Sequence, residues 1–297
     1  MIKNFDDLIT KAKEKRLYNV AVIAADDEHV LKAVKIAQDH GFVHPILIGD
    51  RNKIDVITKE IALKNYEVVD EVEDPALKGV SLVRDKKADI LMKGMINTSD
   101  YLRAILNKEH GLRSGRLLSL LAVYELPQYH KLIYATDSGV NVAPNLEQKK
   151  DILTNTLLAM KNIGFEDPKV AILSSNEVPS EKIPSTMDAV ALVEMVKNGE
   201  IPKCIAEGPI AFDVAFDKEA AIHKGIDSAI AGDVDVLMFP NIETGNVLGK
   251  SWLHFNNAKW AGIVLGAKAP IILGSRSDTP EIKVNSIALA CLSADVL

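Results

Sequence analysis

Short continuous apolar runs, each followed by a turn and then a segment of helical period, recur along the whole sequence. Residues 19–25 (NVAVIAA) are apolar, rich in β-branched side chains and too short for a typical helix. Asp27 then stands where a helix cap belongs, and Val30, Leu31, Val34 and Ala37 share one helical face that stops at Gly41. The same unit predicts strands at 45–48, 66–69 and 88–92, with helices at 53–63 and from Asp74-Pro75. It resumes with strands at 132–135, 170–174, 204–207, 236–239, 262–265 and 271–273 and helices at 145–163, 185–198 and 280–292. Apolar strands separated by helices imply a parallel sheet covered on both faces. About ten strands are too many for one comfortable small sheet. The expectation is therefore α/β: two doubly wound α/β lobes with a cleft between them. A boundary near Leu126-Pro127, with the last strand and helix returning to the first lobe, gives 1–127 plus 270–297 as one lobe and 128–269 as the other.

Charge and cysteine usage narrow the function. Over 297 residues, 35 basic side chains face 41 acidic ones, a net charge of −6. That balance, with no basic stripe, argues against a nucleic-acid partner. Two cysteines, Cys204 and Cys291, form neither a C-x-x-C motif nor a disulfide framework, and both are expected as small core residues. The first residues show no basic-then-apolar leader, and no apolar run approaches the roughly 20 residues that span a bilayer. A cytoplasmic protein without a membrane partner is expected.

In sheets of this kind ligands gather beyond the carboxyl ends of strands. Four such ends carry polar, turn-forming residues. In the first, Gly94 permits close backbone approach beside Lys93, and Thr98 is placed to cap the helix holding Leu102 and Ile105. A helix start with a nearby lysine suits an anion, although a solvated surface turn would read the same. In the second, Asp137, Ser138, Gly139, Asn141 and Pro144 crowd together, as a ligand loop or an ordinary turn would. The third carries Asn246, with Lys250 about one helical turn further on. The fourth sets Ser275, Arg276 and Asp278 between a buried strand and a helix. Arginine offers a planar fork for phosphate, while Asp278 has a second reading as the cap of the last helix. Residues 108–116 add Lys108, Arg113 and Arg116, as a phosphate-rich ligand or a solvated connector would require. The seven histidines make no pair at metal-ligand spacing, and no G-x-G-x-x-G, Walker A or G-x-S-x-G motif occurs.

Taken together, these segments resemble the phosphate acetyl/butyryltransferase family. Seven stretches carry the resemblance in family order: KGMINTSDYLR from Lys93, KEHGLRSGR from Lys108, TDSGVNVAP from Thr136, PSTMDA from Pro184, EGPIAFDVAF from Glu207, PNIETGNVLGK from Pro240 and SRSD from Ser275. The PNIETGN wording and the lack of an added N-terminal domain point to its butyryl branch. The resemblance implies the reaction acyl-CoA + phosphate ⇌ acyl phosphate + CoA on a short-chain acyl group, butyryl or branched. It implies lobes like those of isocitrate and isopropylmalate dehydrogenases and a homo-oligomer. Coenzyme A is substrate or product, with no tightly bound cofactor, no metal and no covalent acyl-enzyme. Phosphate would be held by Arg276, with Lys93 or Arg113. The thiol proton would go to Asp278 or Glu281, of which Asp278 is preferred, and Ser275 would face the oxyanion. Lys93, Gly94, Thr98, Arg113, Asp137, Asn141, Asn246 and Lys250 complete the expected substrate-binding set. One departure stands out: the family often reads Ser-His where this chain has Ser119-Leu120. The alternatives are a phosphate acetyltransferase, a non-catalytic acyl-CoA-binding protein, and an NAD(P)-dependent decarboxylating dehydrogenase on the same fold, for which Asp233 and Asp235 are the one close carboxylate pair near a strand, although Asp235 reads better as the start of that strand.

Overall fold

The structure, a computed structural model, describes residues 2–274 and 278–294. The chain begins α1 (Phe5–Lys13), β1 (Tyr18–Ile23), α2 (Glu28–Asp39), β2 (Val43–Gly49), α3 (Arg51–Glu60), β3 (Glu67–Asp70), α4 (Pro75–Arg84), β4 (Ile90–Lys93) and α5 (Thr98–Ile105). It continues with β5 (Ser119–Glu125), β6 (Ile133–Thr136), α6 (Leu146–Ile163), β7 (Lys169–Leu173), α7 (Pro184–Lys197), β8 (Ile205–Ile210), α8 (Phe212–Phe216), α9 (Lys218–His223), β9 (Val236–Met238) and α10 (Ile242–Phe255). It closes with β10 (Lys259–Leu265), β11 (Ile271–Ile272) and α11 (Pro280–Ser293). Two compact units result: Met1–Arg116 with Ala261–Leu297, and Leu117–Trp260. The fold is α/β and two-lobed, with the last strand and helix in the first unit.

Local chemistry sets the element ends. Asp27 caps α2 by accepting from the Val30 N–H at 2.7 Å. Asp74 caps α4, with Pro75 in its first turn. Asn145 and Gln148 form a reciprocal capping box on α6, which Gly164 ends in the left-handed region at φ 110°. Two expected caps are corrected. Thr98 is the first residue of α5, and the capping position is Asn97, without a side-chain bond. Thr279, not Asp278, caps α11, accepting from the Ile282 N–H.

In the first unit the strand order is β3-β2-β1-β4-β11-β10, and in the second it is β5-β6-β9-β7-β8. The expectation of wholly parallel strands is corrected at two places: β10 with β11 and β5 with β6 are antiparallel. The links at 266–270 and 126–132 are too short to carry a crossover, which takes a dozen or more residues. Within each unit the other ladders are parallel, so strand ends line up. Ile23 of β1 pairs with Lys93 of β4, and Thr136 of β6 pairs with Met238 of β9.

The core of the second unit gathers Tyr124, Ile133, Val214, Leu237, Phe239 and Trp252. In the first unit α11 is buried on every side from Lys283 to Ser293 and packs on α1 and α2. Cys291 lies in that helix, buried as expected. Cys204 departs from expectation and is half-buried, because it precedes β8 at the sheet edge. Burial pushes its thiol up to about 12, helped by Asp167. Among the described residues no helix is long and apolar enough to cross a membrane.

Candidate active site

In the first unit the site is built where β1 and β4 end. The backbone of Gly94 lies against β1: its N–H donates to the Ile23 carbonyl at 2.8 Å, and that of Met95 to Ala24 at 2.9 Å. A Cβ at Gly94 would overlap the Ala24 carbonyl oxygen. Only glycine lets the chain turn here, which explains the Lys-Gly pair. Lys93 is buried, 8% exposed. Its ammonium donates to the carbonyls of Gly94 at 3.2 Å and Ile96 at 2.9 Å. Lys93 and Gly94 line a cavity of about 20 Å³ with Asp27, His29, Gly274 and Lys283. That is room for about one water-sized group.

Asp278 comes near Gly274, one of the residues that line this cavity. Its Oδ2 lies 4.0 Å from the point a Cβ on Gly274 would occupy. The buried Lys283 donates to its main-chain carbonyl at 2.6 Å. Ser275 and Arg276, expected to hold oxyanion and phosphate, lie outside the described residues. Glu281 sits exposed in the first turn of α11. Thr98 and Arg113 are exposed as well. The segment carrying Arg113 is tied down from both sides: Arg113 bridges Ala267, Lys268 N–H donates to Leu112, and Ser114 Oγ donates to Gly266 at 2.6 Å.

In the second unit the turn after β6 is organised by one carboxylate. Asp137, 3% exposed, accepts from the main-chain N–H groups of Gly139, Val140 and Asn141 and from Asn141 Nδ2 at 2.6 Å. Asn141 also donates to Leu118 at 2.8 Å. Asn246, near the start of α10, donates to the Ser138 carbonyl at 3.3 Å. So Asp137, Asn141 and Asn246 share one loop cluster, and Lys250 is exposed one turn along α10. α10 can lie this close because a Cβ at Gly249 would strike the Tyr124 hydroxyl. Burial pushes that phenol up to about 12, against the opposing hydrogen bond with Ser138. It stays neutral through the physiological range. Leu120, where the family often has histidine, packs its Cδ2 2.8 Å from the point a Cβ on Gly139 would occupy. Ser119 is wholly buried and meets Asn155 Nδ2 at 3.0 Å, a core contact.

Two buried side chains next to these loops are not marked in the sequence. Lys283 reads there as one polar position on a helix, and Tyr124 as an aromatic in an apolar run. No motif marks either one. Asp233 and Asp235, the carboxylates a metal-dependent reading needs, hold Lys131 at 2.7 Å each, and Asp233 also holds Lys169 at 2.6 Å. Among the described residues no group of three or more His, Cys, Asp or Glu could hold a metal ion.

Comparison with known proteins bears on what these strand ends do. The chain is 44% identical over 298 residues to the phosphate butyryltransferase of Clostridium acetobutylicum, covering 99% of each. The crystal structure of a branched-chain phosphotransacylase from Enterococcus faecalis V583 superposes with a TM-score of 0.84 at 30% identity, over 95% of this chain and 100% of that one. A 4-hydroxythreonine-4-phosphate dehydrogenase from Salmonella typhimurium shares the fold, with a TM-score of 0.60 at 12% identity over 94% of this chain and 100% of that one. The profile of the phosphate acetyl/butaryl transferase family matches residues 58–291. With that match and a full-length relative at 44% identity, the chain belongs to the phosphate acetyl/butaryl transferase family.

Proposed function

We propose that this protein moves a short-chain acyl group between coenzyme A and inorganic phosphate: acyl-CoA + phosphate ⇌ acyl phosphate + CoA, with butyryl or a branched chain as the acyl group. The observation that carries the reading is full-length 44% identity to a phosphate butyryltransferase. Likeness to a branched-chain phosphotransacylase supports it.

The chemistry needs an anion site, a proton acceptor and an oxyanion site. Lys93 beside Gly94, with Arg276 on the fourth strand end, supplies cationic donors for the phosphate dianion. Asp278 takes the thiol proton of coenzyme A, because the thiolate is the nucleophile. The thiolate attacks the acyl carbonyl carbon, and Ser275 with nearby N–H groups receives the charge on the carbonyl oxygen. Collapse breaks the acyl–phosphate bond, and the leaving phosphate takes up the proton from Asp278 and departs as the dianion. In the other direction Asp278 takes the proton of the phosphate dianion as its oxygen attacks the thioester, and passes it to the departing thiolate. Thr98, Arg113, Asn246 and Lys250 are exposed donors for the larger substrate, and Asp137 with Asn141 shapes the loop on which Asn246 rests. Coenzyme A enters as substrate and leaves as product, with no resident cofactor and no metal.

The reading expects the cytoplasm, a reducing compartment in which the substrate thiol and Cys204 would stay free. Assembly with like chains belongs to the same reading. Val247 and Phe255 on α10, 68% and 84% exposed, are apolar surface that such an assembly would cover.

The test is release of CoA thiol from butyryl-CoA, with and without phosphate, in the absence of nucleotide and metal. Release is expected only with phosphate. Acetyl-CoA turned over with much higher kcat/KM than butyryl-CoA would move the reading to an acetyltransferase. Reduction of NAD(P) by a hydroxy acid without thiol release would replace it by the dehydrogenase.

A further inference from the structure

Lys283 has no part in the reaction above, yet it sits where a lysine is expensive. It is 4% exposed, and burial penalises an ammonium. It is the fourth residue of α11, and its Nζ reaches back past the helix start to the Asp278 carbonyl oxygen at 2.6 Å. A helix N-terminus carries partial positive charge and disfavours a cation there. A buried leucine or methionine would pack without either penalty. What lysine alone adds is a long-reaching N–H donor, and that donor is fixed on the main chain of the carboxylate read as the base. The cap of α11 is supplied by Thr279. The Asp278 carboxylate meanwhile lies toward Gly274, which lines the cavity shared by Lys93 and Lys283, with Asp27 and His29 on its other side.

We propose that Lys283 is a positioning residue: its bond to the Asp278 main chain fixes where the Asp278 carboxylate stands beside Gly274. The proposal rests on the reading of Asp278 as base. Proton transfer requires hydrogen-bond reach, and a misplacement of about 1 Å costs on the order of 10²-fold in rate.

The experiment compares Lys283→Met, Lys283→Gln, Asp278→Asn and the Lys283→Met/Asp278→Asn double variant. It uses the full chain with butyryl-CoA and phosphate, reading kcat, both KM values and the unfolding midpoint. Lys283→Met should lower kcat by about 10–10²-fold, leave KM for butyryl-CoA unchanged and leave the midpoint equal or higher. Lys283→Gln, which keeps an N–H donor, should recover part of the loss. The double variant should be no slower than Asp278→Asn, since a positioning residue has nothing left to position. Undiminished kcat in Lys283→Met overturns the proposal, as do losses that multiply in the double variant. So does a midpoint that falls in step with kcat. If Lys283→Met does not fold, Lys283→Gln decides: wild-type kcat with a raised KM for phosphate means direct binding of the anion and ends the positioning role. A slow Asp278→Asn beside a fast Lys283→Met removes Lys283 alone, whereas a fast Asp278→Asn removes the base itself.

Discussion

Asp137 and Asp278 both follow strands, and their surroundings give them different tasks. Asp137 accepts four hydrogen bonds from its own turn. A carboxylate so engaged builds a loop. Asp278 is bounded by a helix whose cap comes from Thr279. Asp278→Asn therefore leaves the helix start intact. The expected outcome is a loss of roughly 10²-fold or more in kcat, the size of a general-base contribution, with the thermal midpoint nearly unchanged. Steady-state rates and a melting curve on one preparation check it, and near-normal kcat would move the base to Glu281. Gly94 makes the opposite prediction. A methyl there meets the Ala24 carbonyl oxygen, which is backbone and cannot swing away. Gly94→Ala should destabilise by about 1–3 kcal/mol, as overpacking does, visible as a lower denaturation midpoint, with weaker phosphate binding because Lys93 moves with it. At this scale the sequence shows Gly94 well, since a glycine after a buried strand announces close approach. It shows Lys283 poorly, because nothing in a lysine's spacing says that its stem is buried and its ammonium turned toward the helix start.

Among the elements, the parallel strands and the helices between them were legible because each repeats one pattern, whereas α1 and the five-residue α8 stand outside that alternation and were not read. Nor was β5. Its run SLLAVYE is apolar, but no helix separates it from β6, so it breaks the alternation that reveals its neighbours. The amino-terminal ends of β6, β7 and β9 show a different economy. Lys131, Lys169 and His130 surround Asp233, and Asp235 receives both Lys131 and the Lys169 N–H. Partial burial would push the Asp233 carboxyl up, but hydrogen bonds from Lys131, Lys169 and His130 outweigh it and hold the group well below its ordinary 3.8. A depressed carboxylate contributes stability that is complete above its unfolded value and disappears as pH falls through its folded value. Asp233 is 45% exposed, so solvent screening keeps the contribution to about 1 kcal/mol or less. Asp233→Asn should lower the unfolding midpoint at pH 7, and the gap from wild type should narrow as pH falls below about 4. Melting curves at pH 7, 5 and 3 test this, and a gap constant across the three would place its cause in packing.

For the molecule as a whole, the two-lobed α/β architecture follows from the alternation of apolar runs and helices, and the reaction class from seven motifs in order. The division of the chain also matters to how it is made. The second unit is one unbroken stretch, Leu117–Trp260, whereas the first needs Met1–Arg116 together with the segment from Ala261 onward. The helix against which α1 and α2 pack is α11, and it is buried from Lys283 to Ser293. During synthesis, domains ordinarily complete in the order they emerge. Here the order is reversed: the second unit has all of its chain first. The amino-terminal stretch waits with the apolar faces around Phe5, Leu8, Leu31 and Val34 uncovered until the last helix leaves the ribosome. That interval, which lengthens as translation slows, is when the nascent chain has most need of a chaperone.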